Sequence, residues 1–205
     1  MNGAARRDLF LRGVDALNCL ESRILRDGRV LPGGILKVDG FLNHQMDVTL
    51  FEEMAEEFHR AFGSYGVNKI LTIEASGIGL ACITGRVFGC PVLFAKKHVT
   101  KNLAGQFYTA QVASFTHGCT YTIVVSRDFL SPADRVLIID DFLANGEALK
   151  GLISLAEQAG AVVVGAGVAV EKAFQPGGEA VRAMGYRVKA LARIRSMEDG
   201  KITFC

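Results

Sequence analysis

The chain has 205 residues, and its 23 Lys and Arg against 21 Asp and Glu give a formal net charge of +2 at pH 7. This length is typical of one domain, and so balanced a charge argues against a nucleic-acid-binding or membrane-surface protein. Half of the residues are hydrophobic but only 8% are aromatic, which favours an aliphatic core between a parallel sheet and its helices.

The first part of the chain predicts two surface helices separated by an irregular segment. Apolar residues recur on one side over residues 8–25 and again over 47–62, which is the spacing of amphipathic helices. Between them, turn residues flank short extended pieces, of which the last covers residues 34–39.

The rest of the chain alternates between strand and helix. A strand at 69–73, a helix at 78–88 and a strand at 91–95 form one βαβ unit. Further elements are predicted as strands at 135–139, 161–170 and 186–190 and helices at 147–159 and 178–184. Residues 96–126 interrupt this alternation, and their polar pattern predicts a long loop and an antiparallel hairpin.

Cysteine use and apolar runs indicate the compartment. The five cysteines form no C-x-x-C pair and no Cys/His cluster at zinc spacing. The longest nearly pure apolar run, residues 159–170, is well short of the ~20 residues of a membrane helix, and the start of the chain lacks the pattern of a signal peptide. We therefore expect a cytoplasmic protein with no membrane partner.

One segment combines features that point to a ligand. A strand delivers Asp140 and Asp141, and a small-residue loop then opens a helix at Glu147. Loop amides and free helix N–H groups can bind a phosphate, and Gly146 lets the backbone come close to it. Two carboxylates would repel that phosphate, so they are better placed against hydroxyls or the water shell of a metal, and ribose phosphate fits both parts. A helix cap followed by a plain turn is the alternative.

The same segment, residues 136–148, resembles the phosphoribosyl diphosphate (PRPP) signature of the type I phosphoribosyltransferases. The chain is also similar to the bacterial xanthine branch of that family, because further motifs of the branch occur in the family's order. These motifs are Leu36-Lys37-Val38-Asp39, Phe41-Leu42-Asn43-His44-Gln45, Thr72-Ile73-Glu74 with Ser76-Gly77-Ile78, and Glu171-Lys172 with Phe174-Gln175-Pro176-Gly177.

The resemblance implies a fold and a domain organisation. The expected fold is the α/β type I phosphoribosyltransferase fold, a mainly parallel sheet flanked by helices with a small hood from the termini and a flexible lid hairpin. Residues 1–205 would form a single domain, with the N-terminal helix and hood segment at about 1–45 and the lid hairpin at 96–126. A homodimer is implied as well.

The resemblance also implies a reaction and its residues. Phosphoribose would pass from PRPP to xanthine, giving xanthosine 5'-monophosphate and pyrophosphate, with Mg²⁺ bound mainly through PRPP and with no nucleic-acid partner. Asp140 and Asp141 would be the catalytic residues at the ribose hydroxyls. The substrate contacts implied are Leu36, Asn43 and Lys172 for xanthine, Ala144, Asn145, Gly146, Glu147 and Ala148 for the phosphate of PRPP, and Ala75, Ser76, Gly77 and Lys97 for pyrophosphate. The pyrophosphate turn often contains a non-proline cis peptide in such enzymes.

Other functions are weighed against this one. A non-enzymatic regulator that senses PRPP, or a transferase for guanine or hypoxanthine, would share the PRPP motifs. Hypoxanthine-guanine enzymes usually carry an acidic residue, proposed as a base, where this chain has Ala144, so we assign no protein base. A dinucleotide site is disfavoured because Cys82 replaces the third glycine of a G-x-G-x-x-G motif, and a metal hydrolase because one acidic pair offers too few ligands.

Overall fold

A six-stranded sheet with helices on both faces organises the computed structural model, which describes residues 17–97, 106–114, 119–198 and 200–205. The helices are α1 (Cys19–Asp27), α2 (Val48–Phe62), α3 (Gly77–Phe88), α4 (Glu147–Gln158) and α5 (Gly177–Ala183). The strands are β1 (Arg29–Leu31), β2 (Ile35–Lys37), β3 (Lys69–Ile73), β4 (Val92–Ala95), β5 (Phe107–Ser114), β6 (Cys119–Ser126), β7 (Arg135–Leu143), β8 (Val162–Lys172), β9 (Val188–Glu198) and β10 (Lys201–Phe204).

The sheet has the strand order β10-β9-β8-β7-β3-β4. Strands β4, β3, β7, β8 and β9 are each parallel to their neighbours in the sheet, and β10 pairs antiparallel with β9 at the edge. The prediction of a mainly parallel sheet flanked by helices is confirmed. Because these five strands point the same way, the segments that follow them meet at one edge of the sheet, where ligands bind in open α/β folds.

Strand β7 shows why the core strands read as continuous apolar runs. Its side chains point alternately to the two faces of the sheet. Leu137 and Ile139 pack in the hydrophobic cluster that includes α2 and α3, whereas Val136 and Ile138 pack in the cluster that includes α4. Both faces are covered, so residues 136–139 of the strand are all apolar.

Helix α2 forms where the periodicity predicts it. The Asp47 carboxylate caps its first turn by accepting from the Leu50 N–H at 3.2 Å. The apolar stripe of the helix, which includes Phe51 and Phe58, is fully buried. An amphipathic face packed on the sheet, rather than intrinsic propensity, therefore stabilises this helix.

Helix α1 is shorter than predicted. Residues 8–16 of the predicted helix lie outside the described part of the chain, but residues 17 and 18 are not helical, so a continuous helix over 8–25 is wrong. The Asn18 side chain accepts hydrogen bonds from the N–H groups of Leu20 and Glu21 and caps the start of α1 at Cys19. Its amide also donates to the Leu191 carbonyl at 2.5 Å, which fixes α1 on β9.

Two strands run at least four residues past their predicted ends, and one further strand was not predicted. β7 continues to Leu143, four residues beyond its predicted end, because it keeps pairing with β8. β9 extends to Glu198, and β10 was not predicted at all. In β9 and β10, at the edge of the sheet, half-exposed polar side chains alternate with apolar ones. The sequence of these strands therefore lacks the continuous apolar run by which an interior strand is predicted.

The predicted hairpin is present as β5 and β6, which pair antiparallel from Phe107 opposite Ser126 to Ser114 opposite Cys119. Val112 and Ile123 of the hairpin pack closely on α4 at Gly151. Residues 98–105 and 115–118 of the predicted lid lie outside the described residues. In the part of the chain that is described, no helix is long and apolar enough to cross a membrane.

A two-stranded hairpin lies beside β10, the edge strand of the sheet. β1 and β2 form a two-stranded sheet, and a cleft between this hairpin and β10 is lined by Val30 and Ile202. Lys172 at the end of β8 donates to the Gly34 carbonyl between β1 and β2 at 3.1 Å. The hairpin is therefore tied to the carboxyl edge of the main sheet.

Candidate active site

The carboxyl edge of the sheet brings together three chemically distinct segments. The turn at residues 74–77 follows β3, the acidic pair and the loop at 144–146 lie at the end of β7, and Lys172 ends β8. These segments are far apart in sequence, and the parallel topology alone places them side by side.

The acidic pair lies within the last part of β7 rather than after it. Asp140 is 6% exposed and Asp141 is 8% exposed, and the Asp141 N–H donates to Asp140 Oδ1 at 3.0 Å. Burial, followed by the charge of Asp141, raises the pKa of Asp140 well above its usual range. The pair therefore combines a carboxyl that holds a proton readily with a second acid, and both can hydrogen-bond hydroxyl groups.

The loop after β7 opens directly into α4. Gly146 has a φ of +82°, a conformation that favours glycine, and α4 begins at the next residue. A cleft of about 190 Å³ is lined by residues 142–149 together with side chains of the β5–β6 hairpin. The unpaired N–H groups and positive dipole end of a helix favour an anion in such a cleft.

A second glycine supports the loop from behind. The Gly177 N–H at the start of α5 donates to the Ala144 carbonyl at 3.0 Å. A Cβ on Gly177 would lie 2.3 Å from that carbonyl oxygen, and a Cβ on Gly146 would lie 3.0 Å from Gly177 Cα. The sequence suggested that Gly146 makes room for a ligand, whereas in the structure its missing side chain makes room for Gly177.

The turn after β3 packs against the acidic pair. The Glu74–Ala75 peptide is cis, as the resemblance implies, and the Ala75 carbonyl accepts from the Ile78 N–H at 3.2 Å. A Cβ on Gly77 would lie 2.4 Å from Thr72 Oγ1 and 3.2 Å from Asp140 Oδ1. Only glycine therefore lets the start of α3 approach the acids this closely.

Lys97 joins this turn through its backbone. Glu74 Oε1 accepts from the Lys97 N–H at 2.5 Å, and Lys97 Nζ lies 5.4 Å from the centroid of the Tyr121 ring. The positive charge of Lys97 also opposes the rise in the pKa of Asp140. The residues predicted for pyrophosphate, residues 75–77 and 97, thus lie around the acidic pair.

Tyr121 is a candidate that the sequence did not single out. It lies on β6, lines the cleft beside the loop at 144–146, and places its ring next to the Lys97 amine. Burial, together with the charge of Asp140, raises the pKa of Tyr121. A single tyrosine in a polar hairpin carries no signal of such a role, because only the packing of the hairpin on α4 turns it toward the site.

The residues predicted for the purine are not gathered as tightly. Burial lowers the pKa of Lys172, whose amine is bound to the Gly34 carbonyl. Leu36 on β2 is only 7% exposed and packs in the core cluster, so it offers little side-chain surface to a ligand. Asn43 ends a single π-helical turn at Asp39–Asn43 and is exposed.

The site has few protein ligands for a metal ion. Among the described residues, no group of three or more His, Cys, Asp or Glu side chains could hold one. Mg²⁺ is commonly bound by one or two carboxylates together with substrate phosphates. Asp140 and Asp141 fit that pattern, since both lie near the end of β7, just before the loop at 144–146 that could hold a phosphate.

Comparison with known proteins identifies a matching family. A family model described as "Phosphoribosyl transferase domain" matches residues 38–188. The chain is 56% identical over 188 residues to the xanthine phosphoribosyltransferase of Ruminiclostridium cellulolyticum, covering 92% of this chain and 99% of that enzyme. It is 53% identical over 190 residues to the xanthine phosphoribosyltransferase of Lachnoclostridium phytofermentans, covering 92% of this chain and 98% of that enzyme.

A solved structure shows a similar fold. The crystal structure of adenine phosphoribosyltransferase from Rhodothermus marinus superposes with a TM-score of 0.68, covering 85% of this chain and 97% of that chain. The sequence identity is 24%, so the likeness concerns the fold alone. It agrees with the type I fold implied by the sequence motifs.

Proposed function

Because the chain belongs to the phosphoribosyltransferase family, we propose that it transfers 5-phosphoribose from PRPP to xanthine, releasing pyrophosphate and forming xanthosine 5'-monophosphate. The observation that carries the proposal is the meeting of the acidic pair, the phosphate loop and the 74–77 turn at one edge of the sheet. Xanthine is favoured among purines because the relatives with 56% and 53% identity bear that name.

The reaction breaks the bond from ribose C1 to a pyrophosphate oxygen and forms a bond from C1 to a purine nitrogen. Positive charge develops on the sugar and negative charge on the leaving pyrophosphate. The proposed roles separate these charges: Asp140 and Asp141 hold the ribose hydroxyls, and the amides of residues 144–148 hold the 5-phosphate. Ala75, Ser76, Gly77 and Lys97 surround the pyrophosphate. No covalent protein intermediate is needed.

Mg²⁺ fits this arrangement as an ion bound mainly through PRPP, with Asp140 and Asp141 beside it. When bound, it neutralises charge on the leaving pyrophosphate. The chain's own part is to orient the ribose: the hydrogen bond from the Asp141 backbone N–H to Asp140 Oδ1 fixes the orientation of the Asp140 carboxylate.

The purine is assigned to Lys172, Leu36 and Asn43. Xanthine is more acidic than hypoxanthine, and an anionic purine would be favoured by the Lys172 ammonium group. The Gly34 carbonyl holds that amine at the carboxyl edge of the sheet. Since Ala144 offers no base, the purine proton would leave through the ionisation of the base itself before transfer.

We extend the proposal to domain organisation, assembly and location. The chain is proposed to form one catalytic domain in which the β5–β6 hairpin acts as the lid and excludes water from the reacting centre. A homodimer and a cytoplasmic location are proposed from the family, in keeping with the five cysteines being free thiols. Light scattering of the purified protein tests the dimer.

The experiment that tests the function is a purine panel with PRPP and Mg²⁺, in which nucleotide and pyrophosphate are both measured. Xanthosine monophosphate formed in equal amount with pyrophosphate is the expected result, with guanine and hypoxanthine giving less. Product from guanine or hypoxanthine alone would correct the substrate. Absence of product from every purine, with retained PRPP binding, would instead indicate a regulator that senses PRPP.

A further inference from the structure

Glu171, next to Lys172 near the end of β8, carries a buried charge to which the proposed reaction assigns no role. Its side chain is 2% exposed and forms a two-pronged ion pair with Arg182 of α5, with both N–O distances at 2.7 Å. Arg193 on β9 approaches Glu171 Oε1 at 3.3 Å. Burial opposes ionisation, but the hydrogen bonds and charge of Arg182, with Arg193, hold the pKa of Glu171 below its usual value.

The ion pair sits directly behind the phosphate loop. Glu171 lies in register with Leu143, the residue that precedes the loop. Its other partner, α5, starts at Gly177, whose N–H binds the Ala144 carbonyl. Gly178 packs on the Glu171 carboxylate so tightly that a Cβ there would lie 2.1 Å from Oε1. One carboxylate thus fixes α5, and α5 fixes the loop.

The purine end is anchored separately. Neighbouring residues of a strand point to opposite faces, and Lys172 accordingly leaves the sheet on the other side from Glu171. There its amine binds the Gly34 carbonyl, while the Glu171 side chain contacts only α5 and β9 among the ion pairs and side-chain hydrogen bonds of the described residues. Loss of the Glu171 charge therefore releases α5 without releasing Lys172.

We infer that Glu171 and Arg182 are positioning residues for the phosphate-binding loop, and that they set the affinity for PRPP without setting the affinity for the purine. The inference rests on the proposed function. Buried ion pairs contribute little net stability compared with apolar packing, but a bidentate pair holds two elements at a fixed distance and angle. Small displacements of a binding loop cost a large part of the rate.

Steady-state kinetics of Glu171→Gln test the inference, with KM measured for each substrate at saturation of the other. We expect KM for PRPP to rise by roughly 10- to 100-fold while KM for xanthine stays within about twofold of wild type. Arg182→Lys keeps the positive charge but cannot form the two-pronged contact with the Glu171 carboxylate. It should show a smaller rise in KM for PRPP and no change in KM for xanthine. It also serves as the test if Glu171→Gln does not fold.

Asp134→Asn is the matched control. Asp134 forms a largely buried ion pair with Lys69 at 2.8 Å, but it precedes the start of β7, at the opposite edge of the sheet from the loop. This variant should lose thermal stability and leave both KM values unchanged. The inference is overturned if both KM values rise together in Glu171→Gln, if neither rises in the folded variants, or if Asp134→Asn reproduces the change. Failure of wild type to use PRPP and xanthine would instead overturn the proposed function.

Discussion

The proposed phosphate end of the site and its proposed purine end are formed by different parts of the chain. The phosphate end consists of backbone: residues 144–148 are contiguous, and Gly177 packs on them through main-chain atoms. The purine end consists of side chains from separate elements, since Leu36 lies on β2, Asn43 ends an irregular turn and Lys172 ends β8. A backbone site depends on glycines and close packing, whereas a side-chain site depends on single groups that can be exchanged one at a time.

The largest effect should come from a methyl group added at the phosphate end. In Gly177→Ala the Cβ would lie 2.3 Å from the Ala144 oxygen and 2.5 Å from the Gly146 nitrogen, both backbone atoms that cannot move aside cheaply. We expect PRPP affinity to fall by at least about 100-fold, measured by calorimetry, with a lowered melting temperature.

Gly40→Ala is the control for that substitution. A Cβ at Gly40 meets nothing within 4 Å, so this variant carries the same chemical change without a backbone clash. It should bind PRPP like wild type. Equal PRPP affinity in Gly177→Ala would show that the loop tolerates displacement and would remove the distinction between the two ends.

Removal of the Asp140 carboxylate should lower turnover and raise the stability of the free protein. Asp140→Asn is expected to lower kcat by roughly 10²–10³-fold, as loss of a preorganised charge does. It should also raise the melting temperature of the free protein by about 2–4 °C for each kcal/mol gained, because it removes a buried charge beside Asp141.

The direction of the raised pKa of Asp140 determines how this stability effect depends on pH. A carboxyl whose folded pKa exceeds its unfolded value stabilises the folded state at low pH, and this stabilisation is lost as pH rises from the unfolded pKa through the folded pKa. Thermal unfolding across that pH range should therefore show a decline in wild type that is reduced in Asp140→Asn. A lower melting temperature for the variant at neutral pH would contradict the assigned burial.

The sequence predicted the phosphate end better than the purine end, because the elements of the phosphate end are consecutive in the chain. The strand, acids, loop and helix of the phosphate end are consecutive, so their pattern predicted elements that the structure confirms, apart from the four extra residues of β7. The contacts of Gly177 with Gly146 and of Glu171 with Arg182 were not predictable, because they join separate elements across the fold. Tyr121 was missed likewise, since its position depends on how the hairpin packs on α4.

Removal of the Lys172 charge should act on the purine end alone. Lys172→Gln should weaken xanthine binding by roughly 10- to 100-fold, the loss expected for a hydrogen bond to a charged group, and leave PRPP affinity within about twofold. In wild type, xanthine affinity should rise as the purine ionises and fall again at higher pH, when Lys172, whose pKa burial lowers, loses its proton. The variant should lack that fall. Identical pH profiles for the two proteins would exclude an ammonium–anion contact.

The smallest effect is expected at Asn43. Xanthine differs from hypoxanthine by its 2-oxo group and the adjacent N–H, and a site that hydrogen-bonds such a group discriminates against purines that lack it. Asn43 is exposed, so water competes for its amide and the net value of one bond is about 1 kcal/mol. Asn43→Leu should reduce the ratio of kcat/KM for xanthine to that for hypoxanthine by about fivefold, with PRPP saturating. If Asn43 only shapes its own turn, both purines lose activity alike, and an unchanged ratio would leave Lys172 as the group that reads the base.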